Sequence, residues 1–212
     1  MEVIPAINCF DLNCVKEKLL GVKKIGADIA HFDVSDGIFA SVRSWNEPKF
    51  LNEISEAEGI YFEVHFMVKN TEKYFSDWLS GRLRRAIFHV EAMDRERLRA
   101  ILELLPENAD LGLALLPETP VMDVAPFLEE INLVQFLAVA PGKSGQIFDN
   151  RILGKVEELR RINKNVKIEV DGGINLQTAR MVKEAGADAV VSASYIWESI
   201  DERGAYEDLI SV

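Results

Sequence analysis

Several things are scarce in this chain, and each scarcity removes a class of protein. Cysteine occurs only twice, at Cys9 and Cys14, which provides neither a disulfide framework nor a thiolate zinc motif. Both are read as reduced and structural. Positive charge is short: Lys and Arg total 24 against 35 Asp and Glu, for a net charge of −11. Proteins that hold nucleic-acid backbones do so with clustered Lys and Arg, so none is expected here as a partner. An anionic ligand would need a local receptor instead of a basic surface. No apolar run approaches the roughly 18 residues of a membrane span, and the opening MEVIPAINCFDL lacks a basic segment followed by an apolar one. A soluble, cytoplasmic protein without a membrane partner is the expectation. Linkers, low-complexity tracts and composition breaks are also missing, so residues 1–212 are expected to form one domain.

What the chain does have is apolar mass, 48% of its residues, enough for a sizeable core. Short β-branched or apolar runs fall at 3–7, 29–33, 61–66, 86–90, 111–115, 133–139, 167–170 and 189–191. Between them lie amphipathic stretches at 15–25, 71–79, 94–105, 151–161 and 177–185, several opening near an Asn, Thr or Asp suited to capping. Such alternation implies a parallel sheet with helices outside, and eight units in this length fit a (β/α)₈ TIM barrel better than an open sheet. IGADIAHFD at 25–33 and AGADAVVSA at 185–193 both pass from a helix end through Gly-Ala-Asp into a strand, an internal echo of one repeated unit.

Polar residues at predicted strand ends carry the functional argument. In HFDVSDG, His31 and Asp33 are two apart and therefore point to the same side of a strand. His65 in EVHFMV ends the third predicted strand and Asp171 in EVDGGI the seventh, and active sites of this fold lie at that face. One such histidine alone is more often a hydrogen-bonded core residue, and one such acid a helix cap. Together, two imidazoles and two carboxylates over a barrel mouth form a candidate site for one divalent metal, Zn²⁺, Fe²⁺, Mn²⁺ or Co²⁺. His89, in FHVEA with Glu91 two positions on, is not counted as a ligand: the pair either supports the site from the fourth strand or, the favoured reading, makes a structural hydrogen bond.

Glycine-rich loops follow the last three predicted strands: APGKSGQIF at 140–148, DGGIN at 171–175 and SASYIW at 192–197. Loops after strands seven and eight often cradle phosphate in such barrels. Backbone amides of Gly172, Gly173, Ala193 and Ser194, with the loop Gly142, Lys143, Ser144 and Gly145, are the candidate phosphate receptor that the acidic composition demands.

The order VIPAI, HFDVSDG, EVHFMV, HVEA, GLALLPETP, PGKSGQIF, EVDGGI and VSASYIW resembles the ribulose-phosphate 3-epimerases over nearly the whole chain. The resemblance implies a metal-binding isomerase of carbohydrate metabolism, in the pentose phosphate class, that inverts C3 of a ketose phosphate. It places the metal ligands on His31, Asp33, His65 and Asp171, the two acid/base carboxylates on Asp33 and Asp171, and substrate contacts on His65 and the glycine loops. Some positions depart from the family pattern. Ala6 stands for a serine, Ser35 for a methionine, Leu137 for another methionine, Lys143 and Ser144 for a Phe-Gly pair, and Ala193 for a glycine, while Ile38 lies in a changed loop. Asn8, two residues beyond Ala6, is expected to replace the lost hydroxyl contact. An epimerase of another ketose phosphate, such as a hexulose 6-phosphate, and a barrel that only binds a sugar phosphate stay open as alternatives. A Schiff-base aldolase is disfavoured because no lysine is placed at the C-terminal end of a strand. Residues 38–49 are expected to be either a lid over the site or a packed loop centred on Trp45. Trp45, Phe50 and Trp78 are candidates for a homo-oligomer interface or for buried packing.

Overall fold

The computed structural model describes residues 1–142 and 145–212. Among these, eight strands run Glu2–Ile7 (β1), Ile29–Ser35 (β2), Tyr61–Met67 (β3), Leu83–His89 (β4), Asp110–Leu115 (β5), Leu133–Leu137 (β6), Lys167–Asp171 (β7) and Ala189–Ser192 (β8). Each pairs in parallel with its sequence neighbours and β1 with β8, which closes the barrel. This is the expected (β/α)₈ fold. The helices are Leu12–Ile25 (α1), Thr71–Trp78 (α2), Arg95–Leu104 (α3), Arg151–Ile162 (α4), Leu176–Ala185 (α5), the short Ser194–Trp197 (α6) and Glu202–Ile210 (α7). No helix among the described residues is long and apolar enough to cross a membrane.

Two connections depart from the expected alternation. Between β2 and β3 the chain makes only short 3₁₀ turns, Pro48–Asn52 and Ser55–Ala57, and between β5 and β6 likewise Val121–Asp123 and Ala125–Phe127. Pro120 precedes the second pair and Pro126 lies within its second turn; a proline supplies no N–H and does not continue a helix. The Gly-Ala-Asp echo has a physical basis. Gly26 (φ 83°) and Gly186 (φ 112°) both take the left-handed cap that ends α1 and α5, and Ala27 and Ala187 then donate their N–H groups back to Val22 and Val182.

Side chains alternate along the strands and so divide into two environments. Outward ones such as Phe32, Val64, Phe88 and Phe136 join helix residues such as Val15, Leu19 and Ile152 in one large core cluster. Inside the barrel the apolar residues form two small groups, Ile4, Ala6, Ala189 and Val191 on one side and Ile87, Ala114, Leu133 and Leu137 on the other. Between them runs a buried polar network: Glu63, Glu169 and Gln135 are 0% exposed and Arg85 6%. Arg85 donates to Glu63, Glu169 and Glu2, and Gln135 donates to Glu169. An arginine inside this barrel is tolerable because acids surround it on three strands.

The cysteines are not reduced. Cys9 and Cys14 form a disulfide across the β1–α1 turn, with their Cα atoms 5.7 Å apart. The expectation failed because the intervening turn brings together two residues whose spacing belongs to no multi-cysteine pattern. Residues 38–49 pack as a loop. Trp45 is 7% exposed, its ring sits among Phe32 and Trp78, and its backbone N–H donates to the Cys9 carbonyl at 2.8 Å. Trp78 is likewise buried, so neither tryptophan offers an open interface.

Candidate metal centre and substrate cavity

Strand register builds the polar end of the barrel. Asp33 on β2 lies level with His65 on β3, and His31 level with Glu63; Leu137 on β6 lies level with Asp171 on β7. The C-terminal ends of β2, β3 and β7 therefore bring His31, Asp33, His65 and Asp171 together. Each offers one donor atom, and these atoms all lie within 4.8 Å of one another. Asp33 Oδ1 is 3.0 Å from His65 Nδ1 and 3.3 Å from His31 Nε2, and Asp171 Oδ2 is 3.9 Å from His65 Nδ1. Both imidazoles are fully buried beneath the cavity, whereas the two carboxylates keep 16% of their side-chain surface.

The electrostatics of the cluster are uneven. Burial raises Asp171 to about 7, with the charge of Asp33 adding to it. Burial works against Asp33 as well, but its contact with His31 holds it well below the usual carboxylate range. His65 is lowered by burial to about 4. His31 is raised against the cost of burial by Asp33 and Glu63. Two carboxylates and two imidazoles of mixed nitrogen and oxygen character, crowded at the base of one cavity, fit a borderline or hard divalent cation, whose charge offsets the desolvation of the acids.

Above the cluster opens a cavity of about 740 Å³ including its mouth. Asp33 and Asp171 lie at it, and Asn8, Gly142, Gly145, Gly172, Gly173, Ala193 and Ser194 all line it. The expectations at Lys143 and Ser144 fall outside the described residues. Gly172 and Gly173 are needed for shape: both have positive φ, and an added Cβ would meet Val139 at 2.4 Å and the Phe148 backbone at 2.8 Å. Asn8 Oδ1 is buried without a hydrogen-bond partner in the described protein. Ala6 and Leu137 sit in the apolar groups of the barrel interior. Ser35 donates its hydroxyl to the Val42 carbonyl at 2.6 Å, which ties the 38–49 loop to the cavity wall.

Phe10, Val139 and Gln146, not singled out from the sequence, also line the cavity, as does Val42 of the changed loop after β2. Sequence reasoning passed over Glu63, whose Oε1 lies 2.6 Å from His31 Nδ1. Here a signal existed, since Glu63 precedes His65 by two residues and so shares its face.

Residues 2–197 match the sequence pattern of the ribulose-phosphate 3 epimerase family. The ribulose-phosphate 3-epimerase of Helicobacter pylori strain 26695 is 32% identical, with 100% of this chain and 98% of that protein aligned. That of Bacillus subtilis is 29% identical over 99% of this chain and 98% of the relative. Among solved structures, the 3-hexulose-6-phosphate synthase of Salmonella typhimurium superposes with a TM-score of 0.72 over 100% of this chain and 97% of that one, at 13% identity, a likeness of fold alone. With a match that runs through every strand of the barrel and relatives aligned from end to end, the chain belongs to the ribulose-phosphate 3 epimerase family and is an isomerase of the epimerase class.

Proposed function

We propose that the protein inverts C3 of a ketose phosphate, interconverting ribulose 5-phosphate and xylulose 5-phosphate. The observation that carries this reading is the pair Asp33 and Asp171, delivered from β2 and β7 to one cavity and to one cluster of donor atoms. Inversion next to a carbonyl requires one group to remove the C3 proton and another to return a proton to the opposite face of the planar enediolate. Asp33 and Asp171 take these two roles, exchanging them for the reverse direction. His31, Asp33, His65 and Asp171 are the residues that would hold one divalent cation, Zn²⁺, Fe²⁺, Mn²⁺ or Co²⁺. Such an ion supplies Lewis acidity that stabilises negative charge developing on the substrate oxygens. The buried imidazoles lie beneath the two carboxylates at the base of the cavity. The carboxamide of Asn8 contacts a substrate hydroxyl, and backbone at Gly142, Gly145, Gly172, Gly173, Ala193 and Ser194 receives the phosphate.

The test is proton NMR of ribulose 5-phosphate in D₂O with protein loaded with each metal in turn. Deuterium incorporation at C3 with growth of the xylulose epimer is expected, and Asp33→Asn and Asp171→Asn should each slow it by about 10²–10⁴-fold. Exchange with a hexulose 6-phosphate but not with ribulose 5-phosphate would move the substrate. No exchange with either would leave a sugar-phosphate-binding barrel.

A further inference from the structure

His89 and Glu91 contribute no atom to the donor cluster, yet they are tied to it. His89, at the end of β4, is 1% exposed and lies against the ring of Phe39, centroid to centroid 4.4 Å. Its Nε2 is 2.9 Å from Nε2 of His65, and its Nδ1 is 3.0 Å from Oε2 of Glu91. Oε1 of Glu91 accepts the N–H of Leu116 at 2.9 Å and the hydroxyl of Thr119. A backbone N–H can only donate, so Glu91 is held as an acceptor on that side, and an ionised carboxylate is an acceptor on both.

The polarity of the chain then follows. His89 donates from Nδ1 to Glu91, and a neutral imidazole has one donor and one acceptor nitrogen, so its Nε2 turns a lone pair toward His65. His65 must donate from Nε2, which leaves the lone pair on its Nδ1. That lone pair faces Asp33 Oδ1 at 3.0 Å and Asp171 Oδ2 at 3.9 Å. Acceptors facing each other at such distances repel, and a cation among them removes the conflict.

We propose that Glu91 and His89 are positioning residues that set the tautomer of His65, so that it offers Nδ1 to a divalent metal held with His31, Asp33 and Asp171. This rests on the metal-dependent reading above. His31 is served without an intermediary: Glu63 Oε1 lies 2.6 Å from its Nδ1, so Nε2 is left to face Asp33. The two histidines therefore present different ring nitrogens to the same point, because one is oriented directly by an acid and the other through a second imidazole. Partners of this kind commonly account for about 10–100-fold in metal affinity.

The chain has three histidines, so long-range ¹H–¹⁵N correlation spectra of the Zn²⁺-loaded wild-type protein can assign every imidazole. His65 is expected to be protonated at Nε2 and His89 at Nδ1; a proton on Nδ1 of His65 overturns the relay, and this readout needs no variant. Zn²⁺ affinity, measured by chelator competition, gives the second arm. His89→Leu is expected to bind about 10–100-fold more weakly. His89→Gln, whose carboxamide can accept from His65 and donate to Glu91, is expected to recover most of that loss. His89→Leu with wild-type affinity overturns the relay and leaves the metal centre standing. Wild-type protein that binds no Zn²⁺ overturns both.

Discussion

At the scale of single residues, the period of two along a strand puts His31 and Asp33 on one side of β2, with Nε2 of His31 3.3 Å from Oδ1 of Asp33. Asn8 was inferred from a substitution at Ala6, and its Oδ1 is buried at the cavity with no donor in the described protein. An acceptor in that condition stabilises nothing in the folded chain and is available to a ligand hydroxyl. Asn8→Ala is therefore expected to leave the urea midpoint nearly unchanged while raising KM for the ketose phosphate by about 2–10-fold, the worth of one hydrogen bond. Steady-state kinetics beside a denaturation curve would separate the two effects. An unchanged KM would remove Asn8 from the substrate site.

At the scale of elements, the β1–α1 turn is the place where expectation and structure differ most. Asp11 caps α1 by accepting the N–H of Cys14 at 3.0 Å, and the disulfide crosses the same turn while Cys9 lines the cavity. A cross-link closing so short a loop stabilises by roughly 2 kcal/mol in the chain-entropy account. Alkylation of the unfolded, unreduced protein should find no free thiol, and reduction with dithiothreitol should lower unfolding stability by about 2 kcal/mol. Recovery of two alkylated cysteines without reductant would contradict the pairing. The 38–49 loop is the other element that composition left open. It packs because Trp45 enters the aromatic cluster of Phe32 and Trp78 and because Asp36 accepts the N–H groups of Ile38, Phe39 and Lys69, at 2.8, 2.9 and 2.8 Å. The contacts of Asp36 with Ile38 and Phe39 are local, whereas Trp78 and Lys69 reach this region from far along the chain.

At the scale of the whole molecule, closing the barrel creates an interior with charge along its axis. Arg85 from β4 meets Glu63 from β3, Glu169 from β7 and Glu2 from β1, and Glu63 in turn orients His31. The buried arginine thus reaches the candidate metal centre through two contacts. Glu169 is raised well above the ordinary carboxylate range by burial and by the neighbouring charge of Glu63, with Arg85 opposing the shift. Removing one member of such a set leaves charge buried without a partner, at a cost of about 3–5 kcal/mol. Arg85→Leu is expected to lose that much stability in urea unfolding. It should also bind metal more weakly, since Glu63 would no longer be held against His31. A variant as stable as the wild type would show that the network is neutralised in some other way.

Local residue patterns encode the alternating elements, the polar faces that carry His31, Asp33, His65 and Asp171, and the glycine loops. These depend on periods of two and 3.6 residues and on backbone conformations that glycine adopts freely. The positions of His31, Asp33, His65 and Asp171 on one end of their strands were readable for the same reason. Which of these groups meet depends on how the strands and loops pack. The burial of Trp45, the arginine among three acids and the contact from His89 to His65 join strands or loops far apart along the chain, while the disulfide depends on the path of the β1–α1 turn. Closure of the parallel barrel brings β1 beside β8 and sets the register between strands. Distances across that interior follow from closure, which no local pattern of residues encodes.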